Sequence, residues 1–221
     1  VDDFPFREKP KTGNARFIIL QASNRHKPKY HPDELAEKLL AIDQRIELWM
    51  AGIEQEGTSS DRVKFFGLVD NIVELYREAD RLFFFSKMEA FGVVVPEAMA
   101  SGCLPLVSEE MGPGEIVTDS VTGWTRPGDD FDGIVGAIEK AIKLRDEKPD
   151  DWERMRITGR EAVIEKFSAI ACVRAHEKFY LGMIDRNGRN RGGAKTTTPA
   201  TPEVDFAIAA GMVPNKREDL L

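Results

Sequence analysis

The sequence is poor in the residues that build metal sites and disulfides. Among 221 residues there are two cysteines and three histidines. Cys103 and Cys172 stand far apart and neither has a CxxC partner. With His26, His31 and His176 they form no zinc set of ordinary spacing. A reducing, cytosolic setting fits. Positive charge is not in surplus either: 31 Lys and Arg against 38 Asp and Glu leave a net charge of −7. Counterion release needs clustered cations, so the chain is a poor candidate for a general nucleic-acid binder, although a local basic pocket is not excluded. No stretch approaches the roughly 18 consecutive apolar residues of a membrane span. The N-terminus has no charged-then-apolar leader and begins at Val1, not Met.

What is present is ordinary globular material. Hydrophobic residues make up 42% and charged residues 31%, enough for a core without staples. The length suits one large domain with appendages. Residues Val1 to Asn14, polar and rich in Pro and Lys, read as a linker. Short apolar runs then alternate with helical periodicity. Strands are predicted at Ala15–Gln21, Ile46–Ala51, Val63–Phe66, Arg81–Ser86 and Leu104–Ser108. Helices are predicted at Pro32–Ile42, Asn71–Ala79 and Val94–Ser101, with a further helical turn opened by the Gly/Pro loop Met111–Gly114. This rhythm means βαβ units: an α/β, Rossmann-like, doubly wound parallel sheet with helices on both faces. Phe131–Leu144, Asp151–Lys166 and Ala169–Met183 are predicted as surface-packed helices. The domain proper runs over residues 15–184. Residues 185–221 are expected to be a flexible tail, with weak helical character at Val204–Val213.

Chemistry concentrates in Ser86–Gly102, SKMEAFGVVVPEAMASG. This segment leaves the C-terminal end of a strand and enters a helix, where open α/β sheets hold ligands. A helix start offers free N–H groups and a positive dipole end to an anion. Gly92 permits close backbone approach, and Glu89 and Glu97 flank the turn with the spacing Glu-x7-Glu. Acids at a helix start also stabilise it with no ligand at all, by ~0.3–1 kcal/mol, so the pair alone is weak evidence. Phe83, Phe84 and Phe85 read as sheet core, Cys103 as a small buried hydrophobe and the histidines as surface residues. No GxGxxG follows the first strand, which disfavours a dinucleotide oxidoreductase.

EAFGVVVPEAMASG resembles the E-x7-E motif of retaining glycosyltransferases of the GT-B fold, family 4 above all. DRVKFFGLVDNIVELYREADRLFFFS and LPLVSEEMGPGEIVTDSVTGWTRPGD are similar to the stretches that flank that motif, and VDDFPFREKP resembles the family's interdomain linker. The resemblance covers about Val1 to Met183. It implies the C-terminal, donor-binding half of an enzyme that transfers a hexose from a UDP- or GDP-sugar to an acceptor hydroxyl. Glu97 matches the glutamate that binds the ribose hydroxyls, and Glu89 the one placed at the donor sugar. Ala90, Phe91, Gly92 and Val93 match the backbone that holds sugar and diphosphate; Gly67, Leu68 and Val69 match the base-binding loop. Arg25 and Lys29 match the basic pair that neutralises the diphosphate and stabilises the leaving group. The loop departs from the family pattern by lacking glycine, and Lys27 competes with Lys29 for the role.

Such a clamp implies no metal and no cofactor beyond the nucleotide-sugar substrate. The acceptor, a glycan, a lipid or a small molecule, belongs to an N-terminal domain that no residue here matches. The resemblance therefore implies half an enzyme, inactive in transfer by itself. It would be cytoplasmic, with a membrane-peripheral place left open for the whole protein. A non-catalytic nucleotide-sugar module acting as a scaffold or regulatory subunit is the alternative, and an intact Glu89 counts mildly against it.

Overall fold

In the computed structural model, residues 1, 3–6, 15–22, 33–52, 60–86 and 89–190 are described. Six parallel strands form one sheet: β1 (Phe17–Ala22), β2 (Ile46–Ala51), β3 (Val63–Gly67), β4 (Arg81–Phe84), β5 (Leu104–Ser108) and β6 (Trp124–Arg126). Their order is β3-β2-β1-β4-β5-β6. The helices are α1 (Asp33–Ile42), α2 (Ile72–Glu78), α3 (Val94–Ala100), α4 (Met111–Ile116), α5 (Phe131–Glu147), α6 (Pro149–Phe167) and α7 (Ala169–Asn190). The doubly wound class predicted from the alternation of elements is the observed one.

Burial explains the strand compositions. All six residues of β1 and all five of β5 are buried, because helices cover both faces of the sheet. On one face Ile18, Leu20, Leu82 and Phe84 meet Tyr76 of α2, Val95 and Met99 of α3 and Val163 of α6. On the other, Phe17, Ile19, Phe83 and Leu106 meet Leu35 and Leu39 of α1, Ile134 and Ile138 of α5 and Trp152 of α6. Phe83, Phe84 and Phe85 are all core, and Cys103 is fully buried.

Local chemistry sets the helix ends. The Asn71 side chain accepts from Val73 N–H at 3.2 Å and starts α2. Asp130 accepts from Gly133 N–H at 2.9 Å and starts α5; a Cβ on Gly133 would strike that carboxylate. Pro149 occupies the first turn of α6, and Ser168 Oγ accepts from Ala171 N–H at the start of α7.

Two expectations need correction. The sheet has a sixth strand: Trp124–Arg126 pairs in parallel with Leu106–Ser108, where no strand is predicted from the sequence. Three residues with one of them fully buried carry no apolar run to signal a strand. Helix α7 runs to Asn190, past the end at Met183 predicted from the sequence. Residues 191–221, including Val204–Val213, lie outside the described set. The chain divides into two units at Glu177/Lys178. In the second, the rings of Phe179 and Tyr180 meet edge to face at 5.8 Å.

Consecutive strands β1, β2 and β3 step outward in one direction. From β3 the chain returns through α2 to place β4 on the other side of β1. The strand order reverses between β1 and β4, which are paired Ile19 with Arg81 and Leu20 with Leu82. In such sheets the crevice outside the C-terminal ends of the two strands at the reversal is the ligand site.

Candidate functional site

The crevice at this reversal is bordered by the end of β1 at Ala22 and by the turn leaving β4. That second turn carries Glu89 and Gly92 and runs into α3. Gly92 has φ +79°, a backbone conformation that favours glycine. A side chain there would also be crowded: a Cβ would stand 3.1 Å from Pro113 Cγ, 3.2 Å from the Phe84 ring and 3.4 Å from Glu89 Cγ. The carbon stem of Glu89 thus lies against Gly92.

The turn is braced from behind by the loop after β5. A Cβ on Gly112 would lie 2.2 Å from the Ala90 carbonyl oxygen, so the backbones of Gly112 and Ala90–Phe91 are in direct contact. Gly114 is equally close to the Glu109 carbonyl. The sequence marks Met111–Gly114 as a loop opening a helix, which it is. Its work as a buttress for the Ala90–Gly92 turn is a tertiary fact. Phe91, 40% exposed, packs edge-on against Phe167 with ring centroids 5.4 Å apart. Val93, immediately before α3, is 60% exposed. An apolar surface therefore flanks the turn.

Glu97 sits in the first turns of α3, half-buried. Its Oε2 accepts a hydrogen bond at 3.3 Å from the hydroxyl of Tyr76 on α2. Burial raises the carboxyl above its ordinary pKa, and the donated hydrogen bond opposes that rise. Tyr76 is fully buried, and burial together with the Glu97 charge pushes its own pKa far up, so it stays a donor. Sequence reasoning missed Tyr76. The available signal was a tyrosine on the apolar face of a short helix, since a buried phenol needs a partner for its hydroxyl.

Helix α3 is held at its far end by two arginines of α6. Arg156 donates to Gly102 O at 2.7 Å, and Arg160 donates to Ala100 O and, at 2.7 Å, to Phe4 O. Both guanidinium groups lie over the Phe6 ring, at 4.7 and 5.7 Å from its centroid. Phe4 and Val1 pack against the core on the same face, with the Phe4 ring 6.3 Å from that of Tyr76. The described residues of the leading segment are thus seated on the domain.

Gly67 ends β3 with φ +60° and has open space where a Cβ would go, so its backbone angle alone explains the glycine. Leu68 is 90% exposed, whereas Val69 packs against the same core as Val94 and Tyr76. The backbone path thus carries this loop from the sheet edge back toward α3. Arg25, Lys27 and Lys29 lie outside the described residues, as do His26 and His31. Ala22 nevertheless stands on the strand beside β4. Among the described residues no group of three or more His, Cys, Asp or Glu side chains could hold a metal ion. No helix among them is long and apolar enough to cross a membrane.

The family of Glycosyl transferases group 1 matches residues 6–157, which span the whole sheet, the turn and both glutamates. The chain belongs to this family. Among curated relatives, N-acetyl-alpha-D-glucosaminyl L-malate synthase of Bacillus anthracis is 33% identical over 132 residues, covering 58% of this chain and 33% of that protein. Sucrose synthase of Thermosynechococcus vestitus is 32% identical over 106 residues, 46% of this chain and 13% of that one. The structure of Anabaena HepE in complex with UDP superposes with a TM-score of 0.64 at 17% identity, over 77% of this chain and 50% of that one. A glycosyltransferase from Rickettsia africae gives a TM-score of 0.65 at 21% identity, over 77% and 48%. The fold is thus that of GT-B glycosyltransferases, and this group 1 chain spans half or less of the length of these relatives.

Proposed function

We propose that this chain is the C-terminal, donor-binding half of a retaining family 4 glycosyltransferase that transfers a hexose from a UDP- or GDP-sugar to an acceptor hydroxyl. One observation carries the reading: Glu89 and Glu97 flank a turn tightened by Gly92 at the strand-order reversal of the sheet. UDP in the HepE structure supports a nucleotide donor. A half-buried carboxylate at Glu97 suits the ribose, because two acceptor oxygens match two vicinal hydroxyl donors. Glu89, against Gly92, would face the donor sugar. The backbone N–H groups of Ala90 to Val93 would meet the sugar and diphosphate, and the Gly67–Val69 loop the base.

Arg25 and Lys29 complete the proposal as the cations on the diphosphate. Negative charge grows there as the glycosidic bond breaks, and preorganised cations stabilise it without a metal ion. The acceptor would be held by a partner domain, so these 221 residues alone would bind donor and transfer no sugar. Positioning of an acceptor supplies ~7–11 kcal/mol of barrier lowering, and one wall of a cleft cannot provide it.

The test is calorimetric titration of the purified chain with UDP, GDP and the bare nucleosides, with and without Mg²⁺. Diphosphate binding without added metal, weakened by Arg25→Ala far more than nucleoside binding is, supports the reading. Absence of binding by either diphosphate, or strict dependence on Mg²⁺, overturns it.

A further inference from the structure

Glu97 acts best on a ribose with its carboxylate ionised and aimed; the start of α3 favours the charge, but the described residues of that helix do not aim the side chain. Half-burial favours the protonated form. Helix α3 has only seven residues, and the described contacts of Glu97 on that helix are backbone ones. The group that meets its side chain comes from another element. Tyr76, on α2, donates its hydroxyl to Oε2. We infer that Tyr76 is a positioning residue for nucleotide binding, holding the Glu97 carboxylate in one rotamer with its remaining lone pairs free for the ribose hydroxyls. The inference rests on the ribose role proposed above for Glu97.

The geometry gives this contact a direction. A tyrosine hydroxyl has one proton, and here Glu97 Oε2 receives it, so the carboxylate accepts and need not be protonated to satisfy the pair. One oxygen is thereby fixed, and the acceptor sites that remain suit two adjacent O–H donors. The phenol can hold this place because its ring is immobile. It is fully buried in the core that also holds Leu75, Ala79, Met99 and Cys103, and the Phe4 ring lies 6.3 Å from it, centroid to centroid. Phe4 is tied down in turn, since its carbonyl accepts from Arg160, which also holds the end of α3. The leading segment, α2 and α3 thus converge on one carboxylate. Among the described residues, the ionisable groups acting on Glu97 are Tyr76 from α2 and the α-amino group of Val1 from the leading segment.

The test compares wild type, Tyr76→Phe and Phe4→Ala by calorimetry with UDP and GDP and with their 2′-deoxy and 3′-deoxy analogues, between pH 5 and 8. Tyr76→Phe removes one oxygen atom from a core that already holds the ring, so the fold should persist. Affinity for the ribonucleotide should fall roughly two- to ten-fold, as for loss of an ordinary hydrogen bond, since 3.3 Å is long for a charge-assisted one. The preference for ribose over its deoxy forms should shrink by a similar factor. The acid limb of the binding profile should also move toward neutral pH, because the carboxylate has lost the donor that kept it ionised. Phe4→Ala should give a smaller loss of the same kind. A merely structural tyrosine would shift the melting temperature and leave ribose preference and pH profile unchanged. Wild-type binding with an unaltered Tyr76→Phe variant overturns this inference alone. Failure of wild type to bind either diphosphate overturns the nucleotide-site reading and this inference with it.

Discussion

At the N-terminal edge of the sheet a network of charges fastens the chain; at the C-terminal edge three glycines of positive φ shape it. Below the strands, Asp80 accepts from Ile18 N–H at 2.9 Å and pairs with Arg145 at 3.4 Å. Arg145 also donates to the carbonyls of Ala15 and Arg16, and its guanidinium lies over the Phe17 ring. Beside it Arg45 bridges Asp43 and Asp146, both at 2.7 Å. The last turn of α5 is thereby joined to the starts of β1, β2 and β4. Above the strands, Gly52, Gly67 and Gly92 adopt positive φ, and Gly112 and Gly114 touch neighbouring backbone directly. A site that must admit a ligand leaves its side chains short and its apolar groups exposed. The opposite edge spends its polar groups on holding the sheet together.

The strongest way to break this division is Arg145→Ala. It leaves the nearly buried Asp80 without its guanidinium and should destabilise the chain by about 3–5 kcal/mol in urea denaturation. Nucleoside diphosphate affinity of the folded fraction should not change. A parallel loss of affinity would show that the two edges are not independent.

Glu97→Gln should do the reverse. Binding of the nucleoside diphosphate should weaken by about 1–3 kcal/mol in calorimetry. Stability at pH 7 should hold or rise. Burial raises this carboxyl above 4.5, so its favourable contribution to folding is present below that value and is lost as pH rises through the raised pKa. At pH 7 the native chain therefore holds an unfavourable charge that glutamine removes. A large drop in melting temperature would mark Glu97 as a structural acid.

Two glycines sharpen the comparison within the upper edge. Gly67→Ala meets nothing within 4 Å and should cost only the left-handed backbone, about 1–2 kcal/mol. Gly92→Ala bears the same backbone cost and crowds Pro113 and Phe84, so it should be worse and should displace the Glu89–Gly92 turn. Equal thermal shifts for the two variants would mean that the close packing behind the turn is unimportant.

The smallest effect is expected at Arg81. It is fully buried under the sheet face, its guanidinium 4.0 Å above the Trp124 ring, and none of its guanidinium nitrogens has a hydrogen-bond partner among the described residues. Burial pulls its pKa down to about 9, so the cost of the charge is fully present below that pH and is relieved above it. Arg81→Met should raise stability at pH 7 by roughly 1 kcal/mol in thermal or urea unfolding, since an apolar side chain of similar length needs no partner. A loss of stability would show that stacking on Trp124 outweighs desolvation.

Much of this architecture is legible in the sequence. Ile46–Ala51 and Leu104–Ser108 are strands at the very residues predicted, because a short apolar run ended by a glycine or a polar residue declares a buried strand locally. The turn from β4 into α3 was legible for a similar reason: Gly92, Pro96 and two spaced glutamates form a local pattern. Trp124–Arg126 was not, since a three-residue edge strand has its existence decided by β5 beside it. Nor was the continuation of α7 past Met183 and through Gly188, a residue that weakens helix by propensity alone.

Residue order was therefore enough for the alternation of strands and helices, the two buried faces and the acids at one strand end. These follow from backbone preference and from the periodicity of burial, both carried by neighbours in the chain. Tertiary structure decided the reversal between β1 and β4, the Gly112 buttress behind Ala90, and the Tyr76 hydroxyl on Glu97. Each joins segments whose separation along the chain says nothing of their distance in space. Packing alone selects such contacts, because their free energy exists only once both elements are in place.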